Sequence, residues 1–138
     1  MSRPRLPIGP VLLLAALAAV AATACGSAVD EAVFETVEPA AFNKLVEGGD
    51  VVIVDIRTPE EYSGGHIADS AMIDFNDPSF RDRLGELDKG AHHLIYCRTG
   101  NRSAQALPIF KELGFTRVTE LDGGIVGWAE AGLPLIRP

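Results

Sequence analysis

The segment His93-Leu94-Ile95-Tyr96-Cys97-Arg98-Thr99-Gly100-Asn101-Arg102-Ser103 runs from a β-prone stretch, through a tight polar loop, into a helix pattern over Ser103–Leu113. Gly114 ends that helix as the usual residue after a helix C-terminus, where no Cβ opposes a left-handed turn. Pro108 falls inside it and should remove one backbone bond, at about 3 kcal/mol unless a kink absorbs it. Upstream, Val51-Val52-Ile53-Val54 is a continuous β-branched run, the pattern of a strand buried on both faces. Thr58-Pro59-Glu60-Glu61 follows as a helix start, with Thr58 as cap and Pro59 in the first position.

The same alternation reaches both ends of the remaining chain, and no internal repeat interrupts it. Ala32–Val37 reads as a short strand, and Pro39 opens a helix through Val46 that Gly48-Gly49 stops. Ala71–Ile73 is a third strand, Ser79–Leu87 a helix, and Asp88-Lys89-Gly90 a turn. Arg117–Leu121 supplies a fifth strand and Ile125–Ala131 a last short helix. Strand alternating with helix on short connections predicts an α/β fold, a single domain over 32–138. Its sheet is mainly parallel and five-stranded, with helices on both faces. Ligands of such sheets sit beyond the carboxyl ends of the strands, so chemistry is expected in the loops after Val54 and Tyr96.

The N-terminus reads differently. Met-Ser-Arg-Pro-Arg precedes an unbroken apolar run of 12 residues, Val11 to Ala22. That length fits a signal-peptide core and falls short of the roughly 20 residues of a membrane-spanning helix. Ala22-Thr23-Ala24-Cys25 resembles a bacterial lipobox, with Ala22 where that pattern more often has Leu. The resemblance implies lipidation of Cys25 and cleavage before it, and the same residues also satisfy an ordinary A-x-A cleavage pattern. Residues 1–24 are thus read as a signal peptide, and 25–31 as lipidated cysteine and tether. An exported protein held at the cell envelope by a lipid anchor is expected, with a soluble periplasmic or secreted form as the alternative. From Cys25 onward, 10 basic residues face 19 acidic ones, a formal net charge of −9. This balance argues against nucleic-acid binding and against electrostatic attachment to anionic lipid. Two cysteines are too few for a disulfide scaffold or a four-thiolate zinc site.

Cys97 has the surroundings of a nucleophile. A thiol between a strand end and a helix N-terminus sees the positive end of the helix dipole and several unpaired N–H groups. These favour thiolate over thiol and lower an ordinary cysteine pKa of about 8.5. Gly100 lets the loop curl so that successive N–H groups form an anion-binding nest, and Arg98 and Arg102 add positive charge at the same place. Such a cradle suits a nucleophilic sulfur together with an oxyanion. The plain alternative, a small apolar residue ending a buried strand, leaves two arginines and a glycine unexplained.

Four blocks resemble single-domain rhodanese-like sulfurtransferases, in that family's order and spacing. They are Val54-Asp55-Ile56-Arg57-Thr58-Pro59-Glu60-Glu61-Tyr62, Gly65-His66-Ile67, the Cys97–Ser103 loop, and Leu121-Asp122-Gly123-Gly124 with Trp128, Gly132 and Pro134. The resemblance implies that Cys97 accepts sulfane sulfur as a persulfide from a small donor such as thiosulfate. Cyanide or a thiol then removes it, and no cofactor is needed. It implies a catalytic pair, Cys97 and Arg102, with Arg98, Thr99, Gly100, Asn101 and Ser103 holding substrate and persulfide. The Cys-x4-Arg spacing is one residue shorter than the Cys-x5-Arg of related phosphatases, so the loop encircles a single sulfur better than a tetrahedral phosphate.

Asp55 and Arg57 end the second strand on the same rim, where a carboxylate either binds loop N–H groups or fixes an arginine, or else forms an ordinary salt bridge or helix cap. His66 reads as structural, and His92 and His93 lack a second pair at metal-ligand spacing, so no metal is expected. Gly123-Gly124 either brings backbone close to the cysteine loop or forms a plain turn. Asp69, Ser70 and Met72 stand where the family often has Gly, Ala and Asn. The competing function is a non-catalytic sulfur carrier or persulfide-binding module docked to an envelope redox protein.

The lipobox reading has a direct consequence. Cys25→Ser should leave the domain folded but move it from the membrane fraction to soluble protein or uncleaved precursor. Fractionation with size analysis checks this, and unchanged membrane partitioning of a processed mutant contradicts the anchor.

Overall fold

The computed structural model describes residues 30–138; the expected signal peptide and Cys25 lie outside them. Five strands form one sheet: β1 (Val33–Val37), β2 (Val51–Asp55), β3 (Ala71–Met72), β4 (His92–Tyr96) and β5 (Arg117–Leu121). Their order is β1-β5-β4-β2-β3, and every pairing is parallel. The β-branched run of β2 therefore lies inside the sheet beside β4, as its two-sided burial demands. Five helices connect the strands: α1 (Pro39–Gly48), α2 (Pro59–Ser63), α3 (Phe80–Gly85), α4 (Asn101–Glu112) and α5 (Gly124–Glu130).

Side chains alternate across the sheet and so build two cores. On one face Val54, Ile95 and Val118 pack with Phe80 and Leu84 of α3 and Ala106 and Phe110 of α4. On the other, Ile53, Leu94 and Leu121 pack with Phe42 of α1 and Ile125 and Trp128 of α5. Each such side chain, when fully buried, contributes about 1.5–3 kcal/mol through removal from water. The expected arrangement of helices on both faces follows from this alternation.

Local chemistry sets the element ends. Thr58 caps α2 in a reciprocal box: Glu61 N–H donates to Thr58 Oγ1 at 3.3 Å, and Thr58 N–H donates to Glu61 Oε2 at 3.0 Å. Helix α4 starts two residues earlier than expected because Gly100, at φ 98°, turns the chain in its place. Helix α3 starts later than expected because Asp77 accepts from both the N–H and the hydroxyl of Ser79, holding Ser79 out of the helix. Pro108 does not break α4. Ala104, whose carbonyl loses its partner, and Pro108 are both exposed, so water can take the vacant bond. Asp69 takes φ 61°, a left-handed turn that Asp is among the few side chains to tolerate.

One buried group gives this fold a pH dependence. His93 is fully buried; its Nδ1–H donates to the Ala91 carbonyl at 3.0 Å, and its Nε2 faces aromatic rings without a partner. Burial lowers its pKa below 6.5, so the unfolded chain binds a proton in a range where the folded chain does not. The stability linked to His93 is complete above about 6.5 and is lost as pH falls toward the depressed folded value. The slope approaches about 1.4 kcal/mol per pH unit. His93→Phe should flatten the decline of urea-unfolding free energy between about pH 7 and about pH 5. An unchanged slope in the mutant rules His93 out as its source.

Candidate active site

Register places the site. Asp55 lies opposite Tyr96, and Ile95 opposite Glu120, so β2, β4 and β5 end on one rim. The chain leaves β4 at Tyr96, and Cys97 follows as a free, buried thiol with only 1% of its surface exposed. Gly100 reverses the loop, and its N–H donates to Cys97 Sγ at 3.1 Å. Ser103, in the first turn of α4, places its Oγ 3.5 Å from the same sulfur. Burial pushes the thiol up. A Ser103 hydroxyl donating to the sulfur, together with the N–H groups of Ser103, Gly100 and Thr99, more than reverses this and holds the thiol below the ordinary cysteine value.

Helix α5 braces the loop from the other side. Gly123 and Gly124 take φ 73° and 59°, and the turn they make brings Ile125 N–H to Cys97 O at 2.9 Å and Val126 N–H to Arg98 O at 3.1 Å. A Cβ on Gly124 would lie 2.5 Å from Arg98 C and O and 2.6 Å from Cys97 O. The double glycine is thus a close backbone approach, the first of its two sequence readings.

The arginines depart from the sequence expectation. Arg102 forks onto Glu61, with Nη1 donating to Oε2 at 2.8 Å and Nη2 to Oε1 at 2.7 Å. That pair brings the Glu61 carboxyl down to about 2, and the Thr58 N–H helps against the opposing effect of burial. Arg102 still feels Cys97, but its guanidinium fork is occupied by a carboxylate, which weakens the field it offers a donor. Arg98 and Thr99 are exposed on the loop, and Asn101 turns away to accept from Gln105 Nε2 at 2.7 Å. The sulfur is therefore met directly by backbone N–H, while Arg102 reaches it only through its field, shared with Glu61.

Asp55 binds no N–H of the cysteine loop and instead fixes an arginine. Its carboxylate holds Arg57 Nε at 2.9 Å and Nη2 at 2.6 Å, and Nη2 also donates to the Gly65 carbonyl at 2.7 Å. Burial opposes the Arg57 charge, but Asp55 outweighs it and holds the guanidinium pKa above its usual value. The pair ties β2 to the turn carrying His66, over the ring of Tyr96. His66 stacks on Tyr62 with centroids 3.8 Å apart, a structural role. Among the described residues no cluster of His, Cys, Asp or Glu could hold a metal ion.

Two carboxylates escaped the sequence reading as site residues. Glu61 appeared only as part of a helix start. Glu120 lay unremarked in β5, although a charged residue between Val118 and Leu121 in a buried strand is itself a signal. It is 5% exposed, and accepts from Ser103 Oγ at 2.5 Å and from Thr36 Oγ1 at 2.9 Å.

The family model described as Rhodanese-like domain matches residues 38–131, which span the loop and the helix that braces it. The chain belongs to this family. A sulfurtransferase of Allochromatium vinosum is 40% identical over 95 residues, covering 69% of this chain and 87% of that protein. The thiosulfate sulfurtransferase GlpE of Pseudomonas paraeruginosa is 37% identical over 95 residues, covering 69% and 84%. The crystal structure of a rhodanese-related protein from Thermoplasma volcanium superposes with a TM-score of 0.68 at 27% identity, covering 75% of this chain and 99% of that one. These relatives support sulfur transfer as the function of the rhodanese-like domain at family level.

The brace on the rhodanese-like loop can be tested directly. Gly124→Ala must move the Cys97–Arg98 backbone or unseat α5, so Cys97 alkylation should require higher pH and Tm should fall. At a strained, tightly packed position a loss of about 2–4 kcal/mol is expected. Wild-type thermal stability and alkylation in this mutant would show that the approach is looser than the distances state.

Proposed function

We propose that this protein transfers sulfane sulfur through a persulfide on Cys97, with thiosulfate as a competent donor. The observation that carries this reading is one buried sulfur at the start of α4, with Gly100 N–H donating to it at 3.1 Å and Ser103 Oγ 3.5 Å away. A thiolate held this way attacks the terminal sulfur of the donor. The new Sγ–S bond forms as the donor S–S bond breaks, and sulfite leaves with the electron pair. The persulfide anion occupies the same site. Cyanide or a thiol then attacks the outer sulfur and returns Cys97 as thiolate, a two-step cycle with no cofactor.

The depth of Cys97 favours a slim donor that presents a terminal atom, and the Cys-x4-Arg loop is short for a phosphate. We further propose that the domain acts at the cell envelope as an exported protein anchored through Cys25. The Val11–Ala22 run and the Ala22-Thr23-Ala24-Cys25 site support that placement.

Intact mass after thiosulfate treatment tests the central step. One added sulfur is expected on the wild type and none on Cys97→Ser, since a serine hydroxyl is a poor nucleophile at neutral pH and cannot carry a persulfide. Turnover with cyanide should vanish with it. Sulfur loading without turnover would instead favour the carrier function, and thiosulfate turnover by the serine variant would overturn the mechanism.

A further inference from the structure

Glu120 is a buried acid with no part in the mechanism above, yet it lies one hydroxyl away from the reactive sulfur. Ser103 Oγ is 2.5 Å from Glu120 Oε1, 3.2 Å from the Gly100 carbonyl and 3.5 Å from Cys97 Sγ. A serine hydroxyl has one proton to give. The shortest contact, to a carboxylate, takes it. While Glu120 is ionised, Ser103 therefore turns a lone pair toward Cys97 and accepts from the thiol. Ser103 can donate to a Cys97 thiolate only when Glu120 carries a proton and donates to Ser103 in turn. All three groups are buried, so water does not readily substitute for any link.

We propose that Glu120 is a positioning residue for Cys97, setting through Ser103 which partner holds the proton of the reactive thiol. On ionisation the Sγ–H bond breaks and its proton passes to Ser103 Oγ. The Ser103 proton moves to Glu120 Oε1, leaving a thiolate and a neutral carboxyl. No electrons are exchanged, and the negative charge moves from Glu120 to the sulfur. Thr36, on the edge strand β1, donates to Glu120 Oε2 at 2.9 Å and so tunes how readily that acid takes the proton.

Other charged groups near this face make their contacts elsewhere, and Asp74 acts on Arg102. Arg102 of α4 is forked on Glu61 of α2, and Lys111 of α4 lies 4.9 Å from the centre of the Phe34 ring. His93 sits near the far end of β4 among Phe110 and Phe115. From α3, Arg81 pairs with Glu112 of α4 and Arg83 with the Met72 carbonyl, all at the surface. None of them contacts Ser103. This inference rests on Cys97 being the reactive thiol, but its test does not depend on sulfur transfer.

The experiment is the pH profile of Cys97 alkylation by iodoacetamide, read on the full chain. Glu120→Gln mimics the protonated acid, so the alkylation midpoint should fall by about one pH unit. In a Ser103→Ala background the same substitution should shift the midpoint much less, because only the through-space charge effect persists there. Thr36→Val, conservative on an edge strand, should raise the alkylation rate below the midpoint by about threefold, since it removes one hydrogen bond from the acid. An unchanged midpoint in Glu120→Gln, or an equal shift without Ser103, overturns the proposal. Should Glu120→Gln fail to fold, the Thr36→Val profile decides: a rise supports the relay and no change overturns it. Failure of the sulfurtransferase reading shows separately, as no sulfur gained from thiosulfate by a protein whose alkylation still responds to Glu120.

Discussion

Two backbone hydrogen bonds, Ile125 N–H to Cys97 O and Val126 N–H to Arg98 O, hold the reactive loop in its working shape. A peptide plane points its C=O and N–H in opposite directions. Tying the Arg98 carbonyl to α5 therefore aims the Thr99 N–H, on the same peptide plane, away from α5 and toward the sulfur, and the Gly100 turn brings its own N–H to 3.1 Å. The stabilisation of a thiolate is thus a result of how α5 docks. Gly124 makes the docking possible, because any Cβ there would occupy the space of the Arg98 peptide. Residues 27 positions apart in the chain are parts of one device.

Charge is handled in this site by pairing. The two arginine–carboxylate pairs around it, Asp55–Arg57 and Glu61–Arg102, leave neither partner unmatched. The first is buried, and removing one member would strand a charge at a cost of about 3–5 kcal/mol. The second is half-buried and tethers α4, through its first turn, to the capping box of α2. What remains for the sulfur is a set of neutral dipoles. Preorganised N–H groups stabilise an anion without needing to reorganise as charge develops, which suits a thiolate.

Pairing also explains why a buried carboxylate so near a nucleophilic thiol is tolerable. An isolated Glu120 would repel the thiolate and raise the cost of forming it. Hydrogen-bonded through Ser103, the same charge has a route to neutralisation at the moment the thiol ionises. The acid at the base of the loop and the ion pair at its mouth thus act differently: one exchanges a proton with the site, the other fixes its walls.

The strand–helix alternation, the parallel α/β class and the cysteine loop were legible in the sequence, because hydrophobic periodicity, Pro and Gly positions, and a thiol between a strand and a helix are local properties. The run Val51–Val54, the Thr58 cap and the Gly100 turn each carry their own cause within a few residues. Partners were not legible. That Arg102 forks onto Glu61 across 41 positions, that Asp55 holds Arg57 and not the loop, and that Glu120 lies under Ser103 all depend on which strands lie side by side. Charge in a sequence shows what a side chain can bind; the order β1-β5-β4-β2-β3 decides what stands within reach of it, because hydrogen bonds and ion pairs act over a few ångströms of space and take no account of distance along the chain.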